Sequence, residues 1–224
     1  MVLNLIHKML NRGYDGYAKL LESYKPWLSE TVPWREALDN PFIGEGDAFL
    51  LYSMIATVKP PQYIEIGCGF STLVATIAIS HYCPDTSTIA IDPEPRTIIV
   101  PDVSIKQRLE DVDWTLFNTI PPNSIVFFDG SHVLTETGDV ATFFLEVLPR
   151  LPKGTYVQVH DIFLPDPYPS KWADRKYTEQ YMLALYLLFA QVEILLPYGY
   201  ISMQPSLMSI LNLPAGKSFW FRTL

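Results

Sequence analysis

The sequence predicts an α/β fold, a seven-stranded, mostly parallel sheet with helices on both faces and a helical cap at the N-terminus. Three observations carry this. Short apolar segments alternate with helical ones, the pattern of a sheet built from crossover units. The strand segments are nearly continuous in apolar residues, as expected where both faces of a sheet are covered. Four of them run into glycines, acids or a histidine, and an open α/β sheet gathers such strand ends along one edge, where ligands bind.

Each element follows in order. In residues 1–40, Leu3, Ile6, Met9 and Leu10 recur at helical spacing, as do Tyr17, Leu20 and Leu21. This extension reads either as a cap over a pocket or as a cover for a sheet edge. A helix is expected over 47–58, with Phe49, Leu50, Tyr52, Ser53, Met54 and Ile55 in or near its buried stripe and Pro60-Pro61 as its stop. A strand over 62–66 runs into Gly67-Cys68-Gly69, and a helix over 72–81 follows. Strands are expected over 88–91, ending in Asp92-Pro93, over 103–106, and over 124–128, ending in Asp129-Gly130. A helix over 138–151 carries Val140, Phe143, Phe144, Val147 and Leu148. A strand over 155–159 ends in His160-Asp161, a long helix covers 177–190, and strands over 191–195 and 217–222 close the chain. The 224 residues form one domain, 1–40 an extension and 41–224 the core.

Composition narrows the function. The apolar fraction of 49% supplies a sizeable core. A net charge of −8 argues against nucleic acid and against anionic membrane surfaces, since phosphate contacts need clustered Lys and Arg. Cys68 and Cys83 form neither a disulfide framework nor a zinc pattern, which suits a reduced, cytoplasmic protein. The longest apolar run, 181–190, is half the ~20 residues of a spanning helix. The start of the chain lacks a basic region followed by an apolar one, so no targeting peptide is expected. A homo-oligomer is compatible with all of this.

The segment Tyr63-Ile64-Glu65-Ile66-Gly67-Cys68-Gly69-Phe70-Ser71-Thr72 turns a strand into a helix through two glycines, which lets backbone approach a ligand closely. A dinucleotide fingerprint would place a third glycine where Thr72 stands. The acid Glu65 before the glycines suits a cationic ligand instead. Asp92, at the end of the next strand, can accept both hydroxyls of a ribose.

On these residues the sequence resembles the class I S-adenosylmethionine-dependent methyltransferases, with their Rossmann-like sheet. The resemblance extends over residues 47–224 and includes the Phe-Phe-Asp-Gly-Ser-His segment (127–132), the His-Asp-Ile-Phe-Leu-Pro segment (160–165) and the aromatic closing strand Ser218-Phe219-Trp220-Phe221. It implies that Glu65, Gly67, Gly69 and Ser71 lie near the amino-acid part of S-adenosylmethionine, that Asp92 binds its ribose, that Asp111 lies near its adenine, and that Asp129 borders the cofactor.

Asp129 and Asp161 end neighbouring strands, and two carboxylates facing across a cleft suit a hard divalent cation such as Mg²⁺. A histidine near neutral pH can take a proton from an alcohol whose oxygen attacks a methyl group. The Asp-x-x-His pattern resembles that of small-molecule and sugar O-methyltransferases, which implies Asp129 and Asp161 as metal ligands and His132 as general base. His160 departs from that pattern, because imidazole suits transition metals better than Mg²⁺. His132 and His160 are the catalytic candidates, and whether a metal binds is left open. The Pro-rich aromatic stretch after Asp161 reads as a substrate loop, with Tyr168, Trp172, Tyr177, Gln180 and Tyr181 lining a pocket for a small-molecule or saccharide acceptor. O-methylation is therefore the expected reaction. A nicotinamide-dependent oxidoreductase and a non-catalytic cofactor-binding protein are the alternatives.

Overall fold

The computed structural model describes residues 3–28, 40, 42–96 and 100–224. Two helices, α1 (Asn4–Arg12) and α2 (Tyr14–Leu28), open it and bury Ile6, Leu10, Tyr17, Leu21 and Tyr24, one apolar face at helical spacing. Helix α3 (Glu45–Val58) is apolar all round and buried along most of its length. Then follow β1 (Gln62–Ile66), α4 (Phe70–Tyr82), β2 (Ser87–Ile91), β3 (Val103–Ile105) and β4 (Ile125–Phe128). Helix α5 (Asp139–Thr142) continues as a π-turn (Phe143–Val147) and a 3₁₀ turn (Leu148–Arg150). The chain ends with β5 (Tyr156–Val159), α6 (Glu179–Phe189), β6 (Val192–Pro197), α7 (Tyr198–Ile201), α8 (Pro205–Leu211) and β7 (Phe219–Thr223).

The seven strands lie in the order β3-β2-β1-β4-β5-β7-β6. The first five are parallel, and β7 runs antiparallel to both β5 and β6. Strand β1 pairs with β2 on one side and β4 on the other, so the chain reverses its direction of travel across the sheet between them. That reversal opens a crevice at the carboxyl ends of β1 and β4. Every residue of β4 is buried, as the apolar run predicts.

The structure corrects one expectation, fills one gap and decides one alternative. The helix over 138–151 is not regular, because Pro149 has no N–H for the helical ladder. The stretch between the last two strands, unassigned from sequence, holds α7 and α8. The N-terminal helices cover a sheet edge rather than a pocket: α2 packs on α8 and β6, and Tyr200 Oη donates to Asn11 Oδ1. Residues 29–39 of the extension lie outside the described residues. No described helix is long and apolar enough to cross a membrane.

Candidate active site

A cavity of about 830 Å³ opens where β1, β2 and β4 end, and Gly67, Gly69, Ser71, Asp92, Asp129 and His160 line it. Gly67 has φ +83°, and a Cβ there would collide with the carbonyl of Asp129, so only glycine lets the loop pass this close to the end of β4. Gly69 then starts α4, with Thr72 Oγ1 accepting from the Gly69 N–H at 3.0 Å. Asp92 ties the loop to β2: its Oδ2 accepts the Cys68 N–H and its Oδ1 the Glu94 N–H, both at 2.7 Å. A carboxylate has about four acceptor positions, so Asp92 retains capacity for two hydroxyls.

Two cofactor expectations are not met by the side chains. Glu65 does not line this cavity. Its carboxyl turns behind the loop, where Tyr63 Oη donates to Oε2 at 2.9 Å and Ser71 Oγ to Oε1 at 2.5 Å. Burial pushes its pKa up to about 7 against those bonds. Asp111 is exposed and outside the lining, and Glu110 lines the cavity in its place.

Next to the cavity stands His132, at φ +66°. Such a conformation is strained outside glycine and persists where its surroundings enforce it. Here the His132 carbonyl accepts the Thr178 and Glu179 N–H groups at 2.8 and 3.2 Å, which clamps the loop after β4 to the start of α6. The imidazole Nδ1 lies 2.5 Å from Oε1 of Glu179, a fully buried carboxyl. The other nitrogen, Nε2, faces Asp129 Oδ1 at 3.4 Å and Asp161 Oδ2 at 3.8 Å. Burial pushes Glu179 up to about 7, against the opposing pull of His132. Burial works against the imidazolium of His132, but Glu179 outweighs it and the pKa is raised.

His160 is buried. Its Nε2 is 3.6 Å from Asp47 Oδ2, and its Nδ1 is 3.6 Å from Asp129 Oδ1 and 3.5 Å from Asp161 Oδ1. Burial opposes its charge, yet Asp129 and Asp47 hold its pKa well above the usual histidine value. His160 is thus set among three carboxylates that favour its charged form. Asp47, buried at the start of α3, also accepts the Lys217 N–H at 2.9 Å and the Ser218 N–H at 2.9 Å. Burial would raise its pKa, but His160 and these N–H groups lower it to about 2. Asp129 is likewise held below the usual carboxylate range, with burial outweighed by His160, His132 and Lys217.

The structure does bring Asp129 and Asp161 together, but the surroundings do not fit a divalent ion. Lys217 Nζ lies 2.7 Å from Asp161 Oδ1, and His160 stands between the two carboxylates. Among the described residues, no group of three or more His, Cys, Asp or Glu side chains is arranged to hold a metal.

The loop after Asp161 folds into a cluster of rings. Trp172 and Tyr177 meet at 5.6 Å between centroids, and Tyr177 lies 4.3 Å from the His132 ring. Tyr168 touches Trp172, Tyr177 and the half-exposed Tyr181. Gln180 is fully buried and braces the loop instead of facing an acceptor: its Oε1 accepts the Phe163 N–H and its Nε2 donates to the Asp166 carbonyl.

Sequence reasoning missed Glu179, Asp47 and Lys217. A lone acid in the apolar 177–190 segment was the signal for Glu179. Asp47 looked like an ordinary helix-start acid, and Lys217 like the first residue of a strand.

This sheet order, with its loop and strand-end acids, defines a class: the fold is the Rossmann-like fold of the class I methyltransferases. More particularly, residues 64–162 match the model of a family described as a methyltransferase domain. No curated protein sequence matches the chain. Among solved structures, the S-adenosylhomocysteine-bound methyltransferase PaMTH1 of Podospora anserina superposes with a TM-score of 0.53 at 14% identity, over 97% of this chain and 96% of that one. A provisionally named caffeoyl-CoA O-methyltransferase of Staphylococcus aureus gives 0.53 at 12% identity, over 92% and 98%. A provisionally named methyltransferase of Thermobifida fusca gives 0.51 at 14%, over 92% and 94%.

Proposed function

We propose that the protein is an S-adenosylmethionine-dependent O-methyltransferase acting on a hydroxyl of a small molecule or saccharide. The observation that carries this reading is the position of His132. Glu179 holds its Nδ1, and its Nε2 is aimed at Asp129, which lines the glycine-loop cavity. The open cavity at the glycine loop fits the donor, with Asp92 free to accept ribose hydroxyls. The S-adenosylhomocysteine held by the Podospora protein agrees with this reading.

When bound, S-adenosylmethionine supplies a methyl group on a sulfonium. The chain's part is then to align and deprotonate. Glu179 fixes the tautomer and direction of His132, so that Nε2 accepts the acceptor's hydroxyl proton as the oxygen–methyl bond forms and the sulfur–methyl bond breaks. Asp129 and Asp161 stabilise the imidazolium that results. Tyr177 packs on the base, Trp172 packs on Tyr177, and the two rings border the place of the acceptor. Alignment of oxygen and methyl group provides much of the rate.

Incubation with methyl-labelled S-adenosylmethionine and a panel of phenols, sugars and hydroxy acids tests this. The expected result is label in an ether, lost in His132→Gln. Label on nitrogen or carbon, or ether formation unchanged in His132→Gln, contradicts it.

A further inference from the structure

The cluster at the ends of β4 and β5 has an internal cation. Lys217 precedes β7, and its position is fixed at several points. Its N–H donates to the buried Asp47 carboxylate, and its carbonyl accepts the Ile162 N–H at 2.8 Å. Its neighbour Ser218 donates to the same Asp47. Its ammonium then reaches Asp161 Oδ1 at 2.7 Å and lies 5.0 Å from the centroid of the Trp172 ring. The side chain is 27% exposed, against 9% for Asp161, so the ammonium sits at the boundary between the buried acids and the aromatic loop.

We propose that Lys217 occupies the place of a divalent cation in this cluster, so that the strand-end carboxylates are neutralised from within the chain and the site binds no metal. Charge and distance both support this. Asp47, Asp129, Asp161 and Glu179 surround His132, His160 and Lys217, so four acids share three groups able to carry positive charge, and Lys217 is the one that reaches Asp161 most closely. A Mg²⁺ ion at its usual ~2.1 Å from Asp161 Oδ1 would stand within about 5 Å of the ammonium on the same oxygen. It would also meet the His160 ring, whose Nδ1 is 3.5 Å from that oxygen. An ammonium has three donors, and its 2.7 Å contact with Asp161 is an ion pair that does not use all of them. The others are left to hold an acceptor's oxygen beneath Trp172, the service a metal would otherwise give. This role for the acceptor rests on the methyltransferase reading, but the exclusion of metal does not.

The test uses Mn²⁺ alone, titrated into the full chain and followed by electron paramagnetic resonance, so no methyl donor enters. Wild type is expected to show no site tighter than about 1 mM that depends on Asp161, judged against Asp161→Asn. Lys217→Met is expected to gain such a site, at least about tenfold tighter than any in wild type, whereas Lys217→Arg is not. An Asp161-dependent Mn²⁺ site in wild type overturns the proposal. So does a Lys217→Met protein that melts cooperatively and still binds no Mn²⁺, because the ammonium would then not be what fills the place. If Lys217→Met does not fold, the comparison of wild type with Asp161→Asn decides alone.

Discussion

His132 and Glu179, 47 positions apart in the chain, meet Nδ1 to Oε1 at 2.5 Å, and the carboxyl has no exposure to solvent. A buried acid on one nitrogen of an imidazole orients the ring and favours its charged form, leaving the other nitrogen to exchange a proton with a substrate. Glu179 is outside the cavity lining, so its influence on the reaction passes through His132. Glu179→Gln is expected to lower kcat about 100-fold, within the usual range for loss of general-base catalysis. The dissociation constant for S-adenosylhomocysteine should change by less than about twofold. Both are measured on the same preparation.

The same pair sets a pH dependence. Glu179 raises the His132 pKa above its ordinary 6.5 against the effect of burial, so kcat/KM should climb as pH rises through the raised value. In Glu179→Gln that midpoint should fall toward 6.5. For stability the sign is the usual one for a raised histidine: the favourable contribution is present below pH 6.5 and is lost as pH rises through the folded value. A pH–rate profile of wild type and variant checks the shift.

Gly67 is predicted to be intolerant of any side chain. At φ +83° and against the Asp129 carbonyl, Gly67→Ala combines a left-handed conformation with overpacking, a cost of about 3 kcal/mol. Urea unfolding should show that loss, and S-adenosylhomocysteine binding should weaken with it. Gly69→Ala meets nothing within 4 Å at its Cβ and should unfold near wild type.

Asp47 ties α3 to the segment before β7, and its pKa of about 2 lies below the ordinary 3.8. A lowered carboxylate contributes stability above pH 3.8 and loses it as pH falls toward 2, a contribution of about 2 kcal/mol. Asp47→Asn should flatten the stability curve in that window. At pH 7 it should cost about 3 kcal/mol, because His160 loses one of its buried partners. Urea unfolding at a series of pH values measures both.

Much of this was legible in the sequence, for identifiable reasons. Fully buried parallel strands such as Ile125–Phe128 write themselves as apolar runs, and the acid or glycine after each run marks the sheet edge. Asp92, Gly67, Asp129 and His132 were found that way, because their places follow from strand ends. Direction of side chains was not legible. Glu65 belongs to the glycine motif, yet its carboxyl turns to Tyr63 and Ser71, which only the packing behind the loop decides. Glu179 and Lys217 come from segments far along the chain, and their contacts with His132 and Asp161 depend on how α6 and β7 dock. The break in the helix after Thr142 was readable from Pro149, a residue the apolar periodicity obscured.

Calorimetric titration of S-adenosylmethionine into wild type and Asp92→Asn tests the reading of the cavity most directly. Saturable binding near ~10 μM, weakened at least about tenfold in the variant, with no heat from NADH, is the predicted result. Absence of binding to wild type, or NADH binding in its place, would contradict it.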